Sequence, residues 1–200
     1  MLLYINKMTS KINVLQVIPK LGFGGAETGC YDIAHYLAEK DCGSYIATSG
    51  GELLKFVKKN KVKIFRVPVH SKNPITILFN TILLSAYILI KKINIVHARS
   101  RAPAWSSYLA CLITNTIFVT TFHGTYNFNN KFKKFYNSIM LRSNLTIAGS
   151  NFIFGHINDN YSEYLNKKKK LRVIFRGINI DYFNPKNISV LKQEKLKREW

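Results

Sequence analysis

The feature that most constrains the fold is a repeated alternation between short apolar runs and longer segments with helical spacing. The apolar runs are rich in β-branched residues and are bounded by glycine, proline or polar residues. Nearly continuous apolar strands separated by helices are typical of a parallel sheet whose two faces are both covered. The alternation therefore predicts an α/β domain.

The alternation also predicts where the elements lie. The predicted strands are residues 12–18, 45–48, 64–69, 95–98, 117–122, 145–148 and 171–175. The predicted helices lie at 26–37, from 52, from about 74, at 103–112, between about 130 and 141, and near 152. We expect a doubly wound, mostly parallel, Rossmann-like sheet with helices on both faces. The 47% hydrophobic content is enough for one such domain and too high for a disordered chain.

A glycine-rich segment, residues 22–27 (GFGGAE), follows the first predicted strand and leads into a helix. In open parallel sheets ligands bind at the carboxyl ends of the strands, and glycines there let the backbone approach a ligand closely. Glu27 occupies the place of the third glycine of the dinucleotide fingerprint, and no acidic residue ends the second strand. A nicotinamide or flavin enzyme is therefore disfavoured. The alternative is a turn whose glycines only permit close packing of the strand and the helix.

Basic residues follow the fourth predicted strand, in the string from His97 to Trp105. Arg99 and Arg101 precede Pro103, a residue suited to the first turn of a helix. Guanidinium groups at a strand end suit recognition of phosphate or sugar hydroxyls. The alternative is an arginine that pairs with a core carboxylate, which is weakened because the chain has only 10 Asp and Glu against 30 Lys and Arg.

A histidine and a serine follow the next two predicted strands. His123 precedes the permissive Gly124, and its imidazole would donate to or accept from a bound sugar. The alternative is a structural histidine whose hydrogen bonds are satisfied within the fold. Ser150 can cap the following helix or bind substrate, and its position favours capping.

Taken together, these segments resemble a known family. Residues 24–27, 97–105, 121–126 (TFHGTY) and 176–185 (RGINIDYFNP) occur in the same order as in the N-terminal domain of the family 4 glycosyltransferases. The resemblance extends from about residue 13 to residue 185. Each motif alone is weak, but their ordered combination at strand ends is fairly specific.

The resemblance implies a retaining, metal-independent glycosyltransferase with two facing Rossmann domains, the GT-B fold. Residues 1–185 would form the N-terminal, acceptor-side domain, and residues 186–200 would begin the interdomain linker. The acceptor would be a saccharide, often lipid-linked, in the synthesis of cell-envelope polysaccharide or glycolipid. The nucleotide sugar would be a co-substrate bound by a C-terminal domain, with no other cofactor and no metal.

The resemblance also implies roles for particular residues. Gly24 and Gly25 would line the cleft beside the donor diphosphate and the acceptor, and His123 would be the catalytic residue that hydrogen-bonds the transferred sugar. The other substrate-binding residues would be Arg99, Arg101, Tyr126, Ser150 and Arg176.

The sequence departs from the family pattern in several places. Asn94 stands where the family often has an acidic residue, and Asn179 replaces the usual aspartate, with Asp181 two residues later. Nothing in the chain resembles the donor-domain glutamates or the Arg/Lys pair that holds the diphosphate. The chain is therefore expected to be a fragment or a split subunit, without the donor domain and inactive alone.

The net charge of +20 favours anionic partners. Basic residues cluster at 55–63, 131–134, 167–172 and 192–198, and the alternative for each cluster is a merely solvated surface. The apolar segment 75–90 is too short for a membrane span and predicts a helix with a second covered surface, a membrane or a partner. We expect a cytoplasmic protein bound peripherally to the anionic inner face of the cell membrane. The alternative function is a basic nucleic-acid-binding protein, which lacks any recognisable binding signature in the sequence.

Overall fold

The computed structural model describes residues 11–165, 170–178, 180–181 and 184–199. Asn179 and Phe183 of the 176–185 motif lie outside the described residues, as do Lys167, Lys168 and Lys169 of one basic cluster.

The strands of the fold are β1 (Asn13–Val17), β2 (Gly43–Thr48), β3 (Val62–Arg66), β4 (Ile95–Ala98), β5 (Ile117–Phe122), β6 (Leu145–Ala148) and β7 (Lys170–Val173). They form one seven-stranded sheet in the order β3-β2-β1-β4-β5-β6-β7. All six ladders are parallel, and Leu15 of β1 pairs with Tyr45 on one side and Val96 on the other. The strand order reverses between β1 and β4, where doubly wound sheets place their ligand crevice. The predicted doubly wound parallel sheet is confirmed.

The helices are α1 (Gly25–Glu39), α2 (Pro74–Ile90), α3 (Arg101–Thr114), α4 (Lys131–Asn137), α5 (Asn151–Tyr161) and α6 (Val190–Glu199). Local sequence explains where several begin. The side chain of Asn73 accepts hydrogen bonds from the amides of Ile75 and Thr76, and Pro74 occupies the first turn of α2. Asn130 caps α4 in the same way.

The core consists of two clusters on opposite faces of the sheet. Ile46 and Ala47, neighbours on β2, belong to different clusters because successive side chains of a strand point to opposite faces. The smaller cluster packs β2 against α1 through Cys30 and Ala34. The larger cluster includes residues of α2, α3 and α5. Helices therefore cover both faces, as predicted.

Several predicted elements differ from the observed ones. The strand expected at 171–175 is Lys170–Val173, and the helix expected between about 130 and 141 is α4 followed by a 3-10 segment, Ser138–Leu141. The helix expected from residue 52 is a single 3-10 turn, Glu52–Phe56, which ends where Val57 is already extended. The strand expected at 64–69 is Val62–Arg66. Val67 and Val69 are buried beyond its end, and Pro68 between them lacks the amide that a ladder hydrogen bond needs. The apolar run therefore continues past the end of the strand, because Val67 and Val69 are buried although they pair with no neighbouring strand in the described sheet.

Helix α2 exposes an apolar face and buries polar side chains. Asn80 is buried because its side-chain amide donates to the Pro68 carbonyl at 3.0 Å, and buried Thr81 donates to the Ile77 carbonyl. Apolar side chains instead face solvent: Ile75 is 78% exposed and Ile82 67%. We call this outer surface the apolar α2 face, formed by Ile75, Leu78, Phe79, Ile82, Leu89 and Ile90. Within the described ranges, no helix has the length and hydropathy needed to cross a membrane.

Candidate functional site

A cavity of about 290 Å³ opens at the carboxyl ends of β4, β5 and β6. Gly29 and Asp32 of α1 form one wall, and residues 174–177 after β7 form another. We call it the carboxyl-edge cavity. Three of the predicted site residues line it, namely Arg99, His123 and Arg176. The fold therefore brings together three residues that are distant in the sequence, because each of them follows the carboxyl end of a strand.

His123 lies directly after β5, and its ring nitrogen Nε2 is buried without a hydrogen-bond partner among the described residues. Burial lowers the pKa of His123 to about 4, and the positive charges of Arg99 and Arg176 contribute to the shift. The imidazole is therefore neutral near pH 7, with one nitrogen able to donate and the other able to accept. Such a ring suits a hydrogen bond to an uncharged sugar hydroxyl.

His97 and Thr121 form the floor of the same cavity. The His97 Nε2 and Thr121 Oγ1 atoms lie 2.7 Å apart in a buried hydrogen bond. Burial lowers the pKa of His97 well below its usual value, and the positive charge of Arg99 contributes to the shift. His97 is thus a neutral histidine whose Nε2 already has a hydrogen-bond partner, so its role at the cavity is structural.

Arg99 is buried in this region, with 4% of its surface exposed. Its Nε donates to Oε1 of Gln16 at 2.8 Å, and the side chain of Gln16 in turn donates to the Cys30 carbonyl. The alternative that Arg99 pairs with a core carboxylate is not supported, since no ion pair of Arg99 occurs in the part of the chain that the structure describes. Arg99 therefore presents a cation to the cavity.

Arg176 lies against the first turns of α1. Its Nη2 approaches Oγ1 of Thr28 at 3.5 Å. A Cβ added at Gly25 would lie 2.5 Å from Nη1 of Arg176, and one added at Gly29 would lie 3.1 Å from Nη2. Gly24 has an ordinary extended conformation, with φ of −68°. A Cβ at Gly25 would meet only the end of the exposed, flexible Arg176 side chain, so glycine at this position leaves room for the guanidinium.

Arg101 and Tyr126 form a separate group. Arg101 lies over the Tyr126 ring at 4.4 Å, and its Nη1 donates to Oδ1 of Asn137 at 2.7 Å. The Tyr126 carbonyl accepts from Asn137 and from the Tyr161 hydroxyl, so this residue is fixed from several sides. Arg101 also lines a second cavity of about 500 Å³ with Trp105 and Tyr136. We call it the lateral cavity.

Ser150 has the capping role that its position favoured. Its hydroxyl accepts a hydrogen bond from the Ile153 amide at the start of α5. The neighbouring Gly149 lines the carboxyl-edge cavity. A larger cavity of about 840 Å³ lies near β3 and is lined by none of the predicted site residues. Over the described ranges, no cluster of three or more His, Cys, Asp or Glu could hold a metal ion.

The comparisons with known proteins fit this geometry. Residues 23–182 match the family described as Glycosyltransferase Family 4. A glycosyltransferase from Rickettsia africae ESF-5, known from its crystal structure, is 44% identical. That alignment covers 95% of this chain and 49% of the other, with a TM-score of 0.80.

The chain belongs to glycosyltransferase family 4. The fold of this family 4 domain also occurs in more distant GT-B proteins. Anabaena HepE, solved in complex with UDP and glucose, is 16% identical with a TM-score of 0.65, covering 92% of this chain and 50% of HepE. The lipopolysaccharide outer core galactosyltransferase WaaB is 13% identical with a TM-score of 0.62, covering 86% of this chain and 47% of WaaB.

This family 4 domain thus spans about half the length of the solved chains that it matches. No curated protein sequence matches it.

Several residues of this family 4 domain's site were given no role from the sequence, although Thr121 is part of the motif at 121–126. Gln16 and Thr121 position Arg99 and His97, and Asp32 lines the cavity from α1. One signal was available for Gln16, a polar residue within the otherwise apolar run 14–18. The contributions of Thr121 and Asp32 depend on strand register and helix rotation, which the sequence pattern does not fix.

Proposed function

We propose that the chain is the acceptor-side domain of a retaining, metal-independent glycosyltransferase. In this proposal residues 1–185 form the domain, and the nucleotide sugar binds chiefly to a facing donor domain. Family membership and the GT-B likeness support a sugar-transfer role. The observation on which the proposal rests is the Nε2 of neutral His123, which has no hydrogen-bond partner among the described residues and lies in a cavity beside two guanidinium groups.

The proposed roles follow the two cavities. His123 hydrogen-bonds the transferred sugar, while Gly24 and Gly25 leave room beside the donor diphosphate. Arg99 and Arg176 bind substrate at the carboxyl-edge cavity. Arg101 lines the lateral cavity, where aromatic and cationic side chains suit a saccharide acceptor, and Tyr126 supports Arg101 through its ring. Ser150 serves the site through the cap of α5.

The role of His123 is testable by transfer assay. With a donor domain supplied, either fused or as a separate polypeptide, His123→Ala should lower kcat by roughly 100-fold, the typical loss when one preorganised hydrogen-bonding group is removed. His70→Ala is the matched control, because His70 is exposed and bonds to Ser49 away from the cavity. Unchanged turnover in His123→Ala would contradict the assignment.

We further propose that the acceptor is membrane-associated, as in cell-envelope glycan or glycolipid synthesis. The apolar α2 face supports this, with Lys72 near the start of α2 and Lys91 and Lys92 directly after it. An apolar helix face with flanking lysines suits an anionic bilayer surface, where each lysine adds about 1 kcal/mol. Peripheral binding at the cytoplasmic face of the cell membrane is part of the proposal. WaaB, named for lipopolysaccharide, agrees with such a setting.

Vesicle binding tests the membrane proposal. Phe79→Ser should weaken binding to anionic phospholipid vesicles by roughly tenfold to hundredfold, since burying a phenylalanine side chain contributes about 1.5–3 kcal/mol. Phe152→Ser is the control, because Phe152 is also exposed but lies on α5. Tight binding to duplex DNA at matched salt, with no vesicle binding, would favour the nucleic-acid alternative instead.

A further inference from the structure

A buried guanidinium without a charged partner is left unexplained by the packing of this fold. Arg99 is nearly inaccessible, yet its Nη2 has no hydrogen-bond partner among the described residues. Where the structure describes the chain, the guanidinium donates one hydrogen bond, to the neutral amide oxygen of Gln16. Buried charges in proteins are normally paired, because an unpaired buried ion costs several kcal/mol.

A second guanidinium increases the positive charge at the same place. Arg176 lines the same cavity and is close enough that its charge helps lower the pKa of His123, after burial and Arg99. It lies against Gly25 and Thr28, in the first turn of the 15-residue helix α1. The start of a helix has a partial positive charge of about half a unit. Two cations and a helix start thus meet at this cavity, with Asp32 as the carboxylate that lines it beside them.

The described carboxylates of α1 form no salt bridge with this cluster. Asp32 lines the cavity and Glu27 lies beside Gly24, but neither forms a salt bridge in the described part of the chain. Of the described ion pairs, none involves Arg99 or Arg176. Burial lowers the pKa of Arg99, and the negative charge of Asp32 acts against this shift without forming an ion pair with the guanidinium, so among the described lining residues one carboxylate faces two guanidinium groups.

We propose that the carboxyl-edge cavity binds a phosphate group of the acceptor between Arg99 and Arg176. The inference rests on the proposed function and narrows its substrate class to phosphorylated acceptors. A phosphate offers three anionic oxygens to two planar guanidinium groups, which suits paired, charge-assisted hydrogen bonds. The exposed Arg176 closes over the group from the side of α1, while the buried Arg99 and its Gln16 contact hold the inner end.

Binding of inorganic phosphate by the 200-residue chain tests the site without any transfer reaction. Calorimetry at fixed ionic strength should give a phosphate affinity that Arg99→Gln and Arg176→Gln each lower roughly tenfold, the effect of losing one charge-assisted contact. Arg66→Gln removes the same charge from the exposed end of β3 and should change the affinity less than twofold. Asp32→Asn should raise the affinity about twofold to threefold by removing a nearby negative charge.

Each result has a distinct meaning. Equal losses in Arg176→Gln and Arg66→Gln would show general charge attraction and overturn the site, even if Arg99→Gln fails to fold. Acetate binding as tight as phosphate binding would overturn the assignment to phosphate. An Asp32→Asn chain that loses stability without gaining phosphate affinity would identify Asp32 as an internal counter-ion and overturn the proposal.

The two proposals also fail separately. Phosphate binding at this cavity together with no sugar transfer in the His123 assay would contradict the proposed function and leave the anion site in place. Transfer to acceptors that lack phosphate, with no phosphate binding by the chain, would leave the function and remove the site.

Discussion

At the scale of single residues, the buried neutral state of His123 links the site to the stability of the domain. Its pKa is lowered to about 4 by burial and by Arg99 and Arg176, against an ordinary value of 6.5 in the unfolded chain. Between these values the unfolded chain binds more protons than the folded chain. The contribution of neutral His123 is therefore complete above pH 6.5 and is lost as the pH falls towards 4.

We expect the free energy of unfolding to decrease by about 3 kcal/mol over this interval through His123 alone, at 1.36 kcal/mol per pKa unit. Buried His97 acts in the same direction. Urea unfolding at a series of pH values would measure the slope. His123→Gln cannot take up the proton and should show a flatter profile between pH 6.5 and 4. Parallel profiles for the two proteins would contradict the assigned pKa.

The strand-end positions in the sequence correctly predicted two residues of the carboxyl-edge cavity. His123 and Arg99 were found because strand ends in a parallel sheet are ligand positions. The sequence could not separate Arg99 from Arg101, although they are two residues apart. Arg99 lines the carboxyl-edge cavity. Arg101 is the first residue of α3 and lines the lateral cavity. That division is set by the turn between β4 and α3, whose direction the residue pattern does not encode.

At the scale of elements, glycines in a turn and in a helix have opposite effects. Gly51, before the 3-10 turn, has a φ of 131°, and a Cβ there would collide with the Leu21 backbone. The loops after β1 and β2 are joined at this point, since the Leu53 amide donates to the Leu21 carbonyl at 2.9 Å. Gly155 lies within α5 with open space where its Cβ would be.

We therefore expect Gly51→Ala to destabilise the chain by about 1–3 kcal/mol, the usual cost of a strained backbone conformation. Gly155→Ala should stabilise it by about 0.5–1 kcal/mol through helix propensity. Chemical denaturation of both variants would measure the difference. A Gly51→Ala chain as stable as the unchanged protein would show that the two loops can separate without cost.

Elements with strong apolar period were predicted well. The bounds of β4, β5 and β6 agree with the predicted 95–98, 117–122 and 145–148. The α2 segment was predicted as a helix, but not which of its sides is buried. Apolar residues surround most of α2, so its period gives no direction, and the hydrogen bond from Asn80 to the Pro68 carbonyl helps to fix the orientation.

At the scale of the whole molecule, the chain corresponds to about half of the related solved chains. If the donor nucleotide binds chiefly to the facing domain, this chain should have little affinity for nucleotide sugars by itself. We expect calorimetry with UDP-glucose to give a dissociation constant of about 1 mM or weaker, equivalent to about −4 kcal/mol. Robust binding or turnover by this chain alone would contradict the proposed division of roles.

Membrane binding through the apolar α2 face would also determine the direction in which the carboxyl-edge cavity opens. Helix α2 starts near the carboxyl end of β3 and ends near the amino end of β4, so it runs antiparallel to the strands. Its 17 residues measure about 26 Å. If α2 lies flat on the lipid headgroups, the strands also run parallel to the bilayer plane. The carboxyl-edge cavity then opens sideways along the surface, because it lies at the ends of the strands. An acceptor would then enter by lateral diffusion, with its reacting hydroxyl within about one domain radius of the headgroups.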